Sequence, residues 1–428
     1  MSIKPGSLSD WLAYLESLHP KSIEMGLERV HQVKQKLELT PLFPIIVVGG
    51  TNGKGSVCSI LESILTHGGY RVGCYTSPHL IRYNERIRIE QEEISDEALC
   101  HAFEIVNTAR TSSDIPLTLF EFFTLAAVYL FIQAHVDVVI LEVGLGGRLD
   151  AVNAFDADCA VLTSIDLDHV DYLGKTKEAI GFEKAGIFRK AKPAICAQFD
   201  PPLSVSQHAE SIGADFIQIG KHFGFTAKAQ QWDFWGPKGG RYALPYPALL
   251  GAKQLQNASA CLTALDMVHM KLPVSMNAIR QGLLGVVLKG RFQVLSSEPS
   301  VILDVAHNPG AARTLAENLQ VMAFTGRTYA VFSMLKDKDI VGVIQALKNQ
   351  VDVWLLSTIQ TSRGASIDDL IEKLSIAGIT KENSIVYEFS DSVAAYVFAC
   401  ERANKNDRIC VLGSFHTVGA VLKYQNMA

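Results

Sequence analysis

The stretch PIIVVGGTNGKGSVCSILESIL, residues 44–65, decides how this chain folds. An apolar strand from Ile45 to Val48 leads into a glycine-rich turn, and an apolar-periodic helix begins at about Lys54. Glycines let the backbone pass close to a ligand, and backbone N–H groups converge at a helix N-terminus, where the helix dipole favours anions. This order of elements predicts a loop that binds phosphate groups, against the alternative of a plain glycine turn between two core elements.

The polar residues of the turn have the chemistry that a nucleoside triphosphate needs. Lys54 would place a positive charge on the β- and γ-phosphates, and the Ser56 hydroxyl would bind Mg²⁺. The spacing departs from the common pattern GxxxxGK[ST], because Val48 stands at the first glycine position and Gly55 separates Lys54 from Ser56. The prediction therefore rests on the order of strand, turn and helix, and on four glycines around one lysine.

Strand and helix patterns alternate along the chain, which favours an α/β fold with a mostly parallel sheet covered on both faces. A helical pair at roughly residues 8–36 precedes the first strand, and residues 213–250, with short aromatic strands and glycine and proline turns, predict a small antiparallel patch. The predicted strands are 45–48, 72–75, 136–141, 160–163, 301–305, 329–332, 353–357, 385–389 and 409–412. The predicted helices lie near 54–67, 96–110, 119–134, 254–270 and 275–286.

The length of 428 residues exceeds what one compact core usually holds, so two domains are expected. The alternation of strands and helices starts again around Gly290–Phe292. We therefore predict an ATP-binding domain at residues 1–290 and a smaller, Rossmann-like α/β domain at residues 291–428. A cleft between two such domains is where a two-substrate enzyme would carry out its chemistry.

The composition is typical of a soluble globular enzyme, with 48% hydrophobic and 19% charged residues. A net charge of −5 and the lack of a long basic run argue against nucleic acid as a partner. Eight scattered cysteines without a CxxC pair fit a reducing compartment. The N-terminus lacks a signal-peptide pattern and no apolar run is long enough to span a membrane, so we expect a cytoplasmic protein without a membrane partner.

Polar clusters directly follow four predicted strands of the first domain, and the carboxyl ends of parallel strands meet at one edge of a sheet. Ser77, Glu142 and His169 lie in three of these clusters, where a hydroxyl, a carboxylate and an imidazole could hold divalent cations beside a triphosphate. Ser77 could instead be a turn residue before a proline, and His169 a satisfied histidine at the rim. Glu142 ends a strand of Val and Ile residues, where an unpaired carboxylate would be costly. We predict a magnesium site here.

The residue patterns alone leave other roles open. Lys184 lies in GFEKAGIFR, where a solvated helix lysine beside a glutamate is the default interpretation. In the second domain, VILDVAHNPGA is again a strand, a polar turn and a helix start. Asp304 could bind a ribose or orient a basic group there, and Asn308 is expected to cap the helix. LGSFHTV near the C-terminus repeats this scheme with Ser414 and His416.

Nine ordered blocks of sequence resemble those of the Mur-ligase-type ATP-dependent amide synthases and, within them, the folylpolyglutamate synthase/dihydrofolate synthase branch. The resemblance covers essentially the whole chain, and nine unusual sequence motifs in the same order make it highly specific. The blocks are GGTNGKGS (49–56), TSPHLIRYNERIRI (76–89), LTLFEFFTLAA (117–127), LEVGLGGRLDAVN (141–153), SIDLDHVDYLG (164–174), EKAGIFR (183–189), GRFQ (290–293), DVAHNP (304–309) and GSFHTV (413–418).

The resemblance implies ATP as a co-substrate, two Mg²⁺ ions and a role for each polar cluster. In these ligases the lysine of the EKAG block is often carbamylated, which turns a cation into a carboxylate that supports the second metal; Lys184 occupies that place. The implied ATP-binding residues are Asn52, Gly53, Lys54, Gly55, Ser56, Asn257, Arg291 and Asp304. The implied metal ligands are Ser56, Ser77, Glu142 and His169, and the implied catalytic residues are Lys54, Lys184, His169 and His307.

In the members of the family that use dihydropteroate, the pterin pocket lies along the LTxFE block and the GRLDA loop. An aromatic and apolar slot with carboxylates for the N–H donors of the pterin makes physical sense. The matching residues of this chain are Thr118, Leu119, Phe120, Glu121, Leu149, Asp150 and Ala151. Phe120 could alternatively be ordinary helix core. Because both blocks are present, the bifunctional reaction is favoured over polyglutamylation alone.

The implied reaction is ATP-dependent ligation of L-glutamate to dihydropteroate and to the γ-carboxylate of reduced folates, through an acyl phosphate, by a monomer. Three other functions fit the sequence less well. A UDP-muramoyl peptide ligase would carry a UDP-binding domain before the phosphate loop, where we expect too few residues, about 44, to form one. A simple kinase would not need the second α/β unit. A non-catalytic ATP-dependent binding module would have no use for three candidate metal ligands on successive strand ends.

Overall fold

The chain divides into two α/β units in a computed structural model that describes residues 5–19, 21, 23–322, 326–380 and 384–427. The first unit comprises the residues up to His79 together with Tyr83–Ala248 and Leu255–Val286. The second unit comprises Leu80–Arg82, Leu249–Gln254 and the residues from Val287 onwards. Two short segments before residue 287 thus pack with the second unit.

The large sheet of the first unit has the strand order β4-β3-β2-β5-β1-β6-β7-β8. Its strands are β1 (Ile45–Gly49), β2 (Val72–Tyr75), β3 (Ile87–Ile89), β4 (Glu92–Glu93), β5 (Val138–Glu142), β6 (Cys159–Leu162), β7 (Pro193–Cys196) and β8 (Asp215–Gln218). From β2 to β8 every pairing is parallel, and β3 and β4 add an antiparallel edge. The predicted fold class is confirmed.

Helices cover the sheet and follow the predicted bounds closely. Those up to residue 286 are α1 (Leu8–Leu18), α2 (Glu28–Lys36), α3 (Lys54–His67), α4 (Asp96–Thr111), α5 (Leu119–Gln133), α6 (Val170–Leu173), α7 (Lys177–Ala185), α8 (Leu203–Ile212), α9 (Gln254–Met267) and α10 (Met276–Gly285). The longest apolar stretch forms α5, which is buried along most of its length. Within the described residues, no helix combines the length and the apolar character that crossing a membrane requires.

The prediction for residues 213–250 was partly wrong. Strands β9 (Gly224–Ala227), β10 (Trp232–Gly236) and β11 (Gly239–Leu244) do form a separate three-stranded antiparallel sheet. Strand β8, at the start of this segment, instead pairs in parallel with β7 at the edge of the large sheet. Both strands have only four residues, and β7 begins with a proline, so their sequence signal is weak.

The second unit has a six-stranded sheet in the order β12-β13-β17-β14-β15-β16. Its strands are β12 (Gln293–Ser297), β13 (Ser300–Asp304), β14 (Thr328–Phe332), β15 (Val353–Ser357), β16 (Ile385–Phe389) and β17 (Arg408–Leu412). Its helices are α11 (Pro309–Val321), α12 (Ile340–Leu347), α13 (Ile367–Ile376), α14 (Ser392–Arg402) and α15 (Phe415–Met427). All strands except the unpredicted β12 run parallel, and alternate residues of β13, β14, β15 and β17 enter two separate cores on the two faces.

Candidate active site

The predicted phosphate-binding loop has a backbone that only glycine adopts readily at two positions. Gly53 precedes α3 with a φ of 92°, and Gly50 has a φ of 141°. A Cβ atom at Gly50 would lie 1.9 Å from the hydroxyl oxygen of Thr163, and one at Gly53 would lie 3.0 Å from an oxygen of Asn257. The loop therefore packs tightly against the end of β6 and the first turn of α9, and a side chain at Gly50 would displace it.

Hydrogen bonds fix the same loop to the residues that follow β6. The backbone N–H groups of Thr51 and Asn52 donate to Ser164, at 2.7 Å to its carbonyl and 3.0 Å to its hydroxyl. The Thr163 hydroxyl donates to the Asn52 carbonyl at 2.8 Å. These bonds hold the loop in one shape without a ligand, which lowers the entropy that binding must remove.

Lys54 and Ser56 lie on the first turn of α3, as the sequence predicts. The Lys54 ammonium group folds back over the loop and donates to the carbonyls of Gly50 at 3.2 Å and Thr51 at 3.4 Å. Ser56 is buried, and Gly55 lies between these two residues on the helix. A cation and the N-terminus of a 14-residue helix therefore meet at one point.

Lys184 is the largest departure from the interpretation based on residue patterns alone. The side chain is buried, with 5% of the residue exposed, and its ammonium group donates to the Gly50 carbonyl at 2.9 Å. Burial and, to a smaller extent, the charge of nearby Lys54 lower the pKa of Lys184 to about 7, and Asp168 and Asp150 oppose the shift. A solvated helix lysine was therefore the wrong interpretation, because α7 packs its last turn against a loop 134 residues earlier in the chain.

Glu142 and Ser77 meet at the carboxyl edge of the sheet. Glu142 is the last residue of β5, is 5% exposed and pairs in register with Val48 of β1. The backbone N–H of Ser77, two residues after the end of β2, donates to a Glu142 carboxylate oxygen at 3.1 Å. The Ser77–Pro78 peptide is cis. Two of the predicted metal ligands are thus direct neighbours, next to the strand that leads into the phosphate loop.

His169 lies beyond the end of β6, at the same edge. Its backbone has a φ of 51°, and its N–H donates to the Asp168 carboxylate at 2.9 Å. Nε2 of the ring lies 3.9 Å from the same Asp168 oxygen. In the described part of the chain no three His, Cys, Asp or Glu side chains form a ready metal cluster. The predicted ligand set differs in kind, because it combines one carboxylate and one imidazole with two hydroxyls and the oxygens of a nucleotide.

The two predicted pterin-binding blocks lie against each other. A Cβ atom at Gly144, in the loop after β5, would lie 2.6 Å from the Phe120 ring, so that ring rests directly on the loop backbone. The Phe120 ring is also 5.8 Å from the ring of Tyr75 at the end of β2. Leu119 is the first residue of α5, and the Leu149 carbonyl accepts a hydrogen bond from Gly26 at 3.2 Å. Residues of both blocks therefore line one region near the sheet edge.

Asp150 is a buried carboxylate with an unusual charge state. It accepts hydrogen bonds from the backbone N–H groups of Leu145 at 2.8 Å and Val152 at 3.0 Å, and it caps a short helical turn that begins with the buried Ala151. Burial raises the pKa of Asp150 to about 7, although the backbone hydrogen bonds and Lys54 act against the shift. The group can therefore exchange between acid and carboxylate near neutral pH.

Glu121 has an evident structural role. It forms a capping box with Thr118 at the start of α5, in which the Thr118 N–H donates to a Glu121 oxygen at 2.7 Å. The Arg29 guanidinium donates to the other Glu121 oxygen at 2.8 Å. Both carboxylate oxygens thus already accept strong hydrogen bonds. A pterin bound as predicted would have to donate to the same oxygens alongside Thr118 and Arg29.

The loop after β5 and the helix that carries Lys184 share a close backbone contact. A Cβ atom at Gly147 would lie 2.8 Å from the carbonyl oxygens of Glu183 and Lys184, and one at Gly186 would lie 2.4 Å from the Cβ of Arg148. The Arg148 N–H donates to the Glu183 carbonyl at 2.7 Å, and the Arg148 guanidinium donates to the Glu183 carboxylate. The GGRLDA loop and the EKAG block therefore form one packed body.

Arg86 is a candidate substrate-binding residue that the sequence interpretation missed. Its guanidinium lies over the rings of Tyr83 at 5.1 Å and Phe123 at 5.3 Å, and its Nε donates to His79 Nδ1 at 3.1 Å. Within the described residues, no acceptor contacts the two terminal nitrogens of Arg86. The only signal in the sequence is an arginine set among aromatic residues three positions after Tyr83.

In the second unit, Arg291, Asp304 and His307 lie near the carboxyl end of β13. The Asp304 carboxylate accepts from the backbone N–H groups of Phe292 at 2.9 Å and Ala306 at 2.8 Å. Desolvation raises the pKa of Asp304, and the Arg291 charge opposes the shift. Arg291 lies over the Phe415 ring at 5.2 Å. The predicted site residues Arg291, Asp304 and His307 thus all belong to the second unit.

His307 and Asn308 have distinct local roles. His307 Nδ1 lies 2.8 Å from the Val305 carbonyl, which fixes a proton on Nδ1 and leaves the lone pair of the ring on Nε2. The Asn308 side chain accepts from Ala311 N–H at 2.9 Å with Pro309 next in sequence, so its predicted capping role is confirmed. Ser414 is buried and accepts from His416 N–H at 3.1 Å, in a local turn.

Two family models match the chain. Residues 48–265 match the Mur ligase middle domain, and residues 290–415 match the Mur ligase glutamate ligase domain. Together the two matches cover most of the chain, and each falls largely within one of the two structural units.

Similar full-length proteins and structures agree with these models. The chain is 45% identical over 418 residues to the dihydrofolate synthase/folylpolyglutamate synthase of Escherichia coli K12, covering 97% of this chain and 95% of that protein. A structure of E. coli FolC in complex with DHPP and ADP superposes with a TM-score of 0.94 at 43% identity, over 100% and 99% of the two chains. A bifunctional folylpolyglutamate synthase/dihydrofolate synthase with Mn, AMPPNP and L-glutamate bound gives a TM-score of 0.91 at 44% identity, over 100% of each chain.

Proposed function

Because the chain belongs to the dihydrofolate synthase/folylpolyglutamate synthase family of Mur ligases, we propose that it joins L-glutamate both to dihydropteroate and to the γ-carboxylate of reduced folates. It is an ATP-dependent ligase that forms carbon–nitrogen bonds. The observation that carries the proposal is the meeting of the phosphate loop, the buried Glu142 and the buried Lys184 at one edge of the first sheet.

In the first step, the substrate carboxylate attacks the γ-phosphorus of ATP, and the bond to the β-phosphate oxygen breaks to release ADP. A carboxylate with a pKa near 4 is ionised at neutral pH, so this step needs no protein base. It needs charge cancellation, because one anion approaches another. Lys54 and the N-terminus of α3 supply this, and Asn52, Gly53, Gly55 and Ser56 hold the phosphates.

Ser56, Ser77, Glu142 and His169 would hold Mg²⁺, and two ions are proposed. Hard oxygen donors with few protein ligands suit this ion, and Glu142 offers a buried carboxylate at the sheet edge that also accepts the Ser77 N–H. When bound, the ions cancel phosphate charge and polarise the transferred phosphoryl group. Asn257, Arg291 and Asp304 are proposed as further ATP contacts.

In the second step, the amine of L-glutamate attacks the acyl phosphate carbonyl, and inorganic phosphate leaves as the amide forms. The amine must first lose a proton. His169 and His307 are the two candidate bases, and the contact of His307 Nδ1 with the Val305 carbonyl places the proton of the neutral His307 ring on Nδ1. His169 serves as the base only if its ring does not bind a metal ion.

The pterin is proposed to bind along Phe120 and the GRLDA loop, with contacts from Thr118, Leu119, Glu121, Leu149, Asp150 and Ala151. Phe120 offers a ring face, and Asp150 in its ionised form accepts N–H donors. Arg86 would pair with a carboxylate of the substrate, since a guanidinium between two rings with two unpaired nitrogens is arranged for bidentate binding. We further propose a cytoplasmic monomer with no nucleic-acid or membrane partner.

An ADP-release assay tests the proposed function. Purified enzyme with ATP, Mg²⁺ and L-glutamate should release ADP with dihydropteroate and with a reduced folate, and not with a UDP-muramoyl substrate or without an acceptor. Release with the reduced folate alone would reduce the function to folylpolyglutamate synthesis. Release with the UDP-muramoyl substrate alone would overturn the proposal in favour of a peptidoglycan ligase.

We propose that Lys184 carries a carbamate. A pKa of about 7 leaves roughly half of the amine neutral at pH 7, and only the neutral amine reacts with CO₂. We expect a carbamate signal by ¹³C NMR in ¹³C-bicarbonate, absent in Lys184→Arg, and a loss of activity of about tenfold to hundredfold in that variant. Lys177→Arg, an exposed lysine of the same helix, is the control. A fully active Lys184→Arg enzyme would contradict the carbamate.

A further inference from the structure

Glu62 and Arg88 form a buried ion pair between the phosphate-loop helix and the edge of the sheet. Glu62 lies two turns after Lys54 on α3 and is 3% exposed, and Arg88 lies on β3. Nε of Arg88 donates to both Glu62 oxygens at 3.2 and 3.1 Å, and Nη2 donates to one of them at 2.7 Å. The pair is bidentate, so it fixes direction as well as distance.

The remaining nitrogen of Arg88 holds the turn that contains Ser77. Nη1 donates to the Thr76 hydroxyl at 3.1 Å and to the Glu85 carbonyl at 3.1 Å. Thr76 in turn donates its N–H to the Arg86 carbonyl at 2.9 Å. One guanidinium therefore connects α3, the residue next to Ser77 and the turn that carries Arg86.

Stability alone is a weak reason for such a pair. Removing two charges from water is costly, and apolar residues of similar volume often stabilise a core equally well or better. A pair of this kind has a use where a fixed geometry matters. The geometry at issue here is the separation between the phosphate loop and the Ser77 turn, whose N–H also contacts Glu142.

We propose that the Glu62–Arg88 pair is a positioning device that sets the distance between the phosphate loop and the Ser77–Glu142 metal site. This rests on the proposed function, since it takes Ser77 and Glu142 as metal ligands. Loss of the pair would let the Thr76–Ser77 turn move relative to Lys54, and the metal would then lose affinity for the enzyme–nucleotide complex. Lysine cannot replace Arg88, because a single ammonium group cannot donate to Glu62 and Thr76 at the same time, as the planar guanidinium does.

The test measures Mn²⁺ binding to the enzyme–ADP complex by electron paramagnetic resonance, together with thermal unfolding. Arg88→Lys should weaken Mn²⁺ binding about tenfold. Thr76→Val should weaken Mn²⁺ binding by a similar factor. The variant should still fold, because Arg88 Nη1 keeps its hydrogen bond to the Glu85 carbonyl and the Glu62–Arg88 ion pair remains. The matched control is the double variant Arg241→Met with Asp266→Leu, a buried bidentate pair between β11 and α9, which should leave Mn²⁺ affinity unchanged.

Ser77→Ala separates this inference from the proposed function. Weaker Mn²⁺ binding in Ser77→Ala with unchanged binding in a folded Thr76→Val would overturn the positioning role and leave the metal site standing. Unchanged Mn²⁺ binding in Ser77→Ala and Glu142→Gln would remove the metal site and the positioning role together. An equal loss of Mn²⁺ affinity in the Arg241/Asp266 control would also overturn the inference, since any buried pair would then suffice.

Discussion

Replacing Lys54 with alanine is expected to reduce acceptor-dependent ADP release by roughly a thousandfold. An effect of this size is typical when an enzyme loses a preorganised group that stabilises charge in the transition state. The ammonium group folds over the phosphate loop and contacts the Gly50 and Thr51 carbonyls, so its charge lies where the phosphates are proposed to bind. Removal also leaves Lys184 without its nearest positive neighbour. The measurement is steady-state ADP release with saturating ATP and dihydropteroate.

Lys192→Ala is the matched control for this prediction. Lys192 lies in the same unit and pairs with Asp158 at 2.9 Å, at the opposite end of β6 from the phosphate loop. It should change neither ADP release nor ATP affinity. A Lys54→Ala enzyme that unfolds at the normal temperature and still turns over at a near-normal rate would remove the phosphate-binding role of this loop.

The second large effect is expected from Glu142→Gln. The amide keeps the size of the side chain and an oxygen for the Ser77 N–H, and it removes the negative charge. We expect turnover to fall about a hundredfold and the Mg²⁺ concentration for half-maximal activity to rise, because a neutral amide is a poor ligand for this ion. An Mg²⁺ titration of ADP release measures both quantities.

Asp158→Asn provides the comparison, because Asp158 precedes β6 and pairs with Lys192 and Lys271 at the amino end of the strand. Its loss should lower stability slightly and leave the Mg²⁺ titration unchanged. If Glu142→Gln titrated like the natural enzyme, the carboxylate would be a structural group that accepts the Ser77 N–H, and no more.

The features that the sequence predicts well are those with local causes. Strand β1, the glycine turn and α3 follow from residues adjacent in the chain, and α3 has the predicted bounds of residues 54–67. The five predicted strands of the second unit match within about one residue, because each is a short run rich in aliphatic and aromatic residues between helices. The Asn308 cap is likewise local, because it joins two residues that are three positions apart in the chain.

The features that the sequence does not predict depend on contacts distant in the chain. The burial of Lys184 follows from its contact with Gly50, and the ion pair of Glu121 follows from Arg29, which is 92 residues away. Arg86 gains its aromatic neighbour Phe123 only when α5 packs beside β2. The local residue pattern does not identify any of these distant partners. The default interpretation of a lysine as solvent-exposed is therefore wrong where the fold buries the charged side chain.

The contact between Gly147 and the carbonyls of Glu183 and Lys184 has a consequence for engineering. A designer who wishes to widen the proposed pterin site would naturally alter the glycine-rich loop, since it looks like an independent surface segment. A side chain at Gly147 would clash with the carbonyl oxygens of Glu183 and Lys184, and one at Gly186 would clash with Arg148, so either would force the loop and the lysine-bearing helix apart. With the roles proposed for this loop and for Lys184, a substitution at either glycine would change acceptor binding and phosphoryl transfer together, and libraries should leave both glycines untouched.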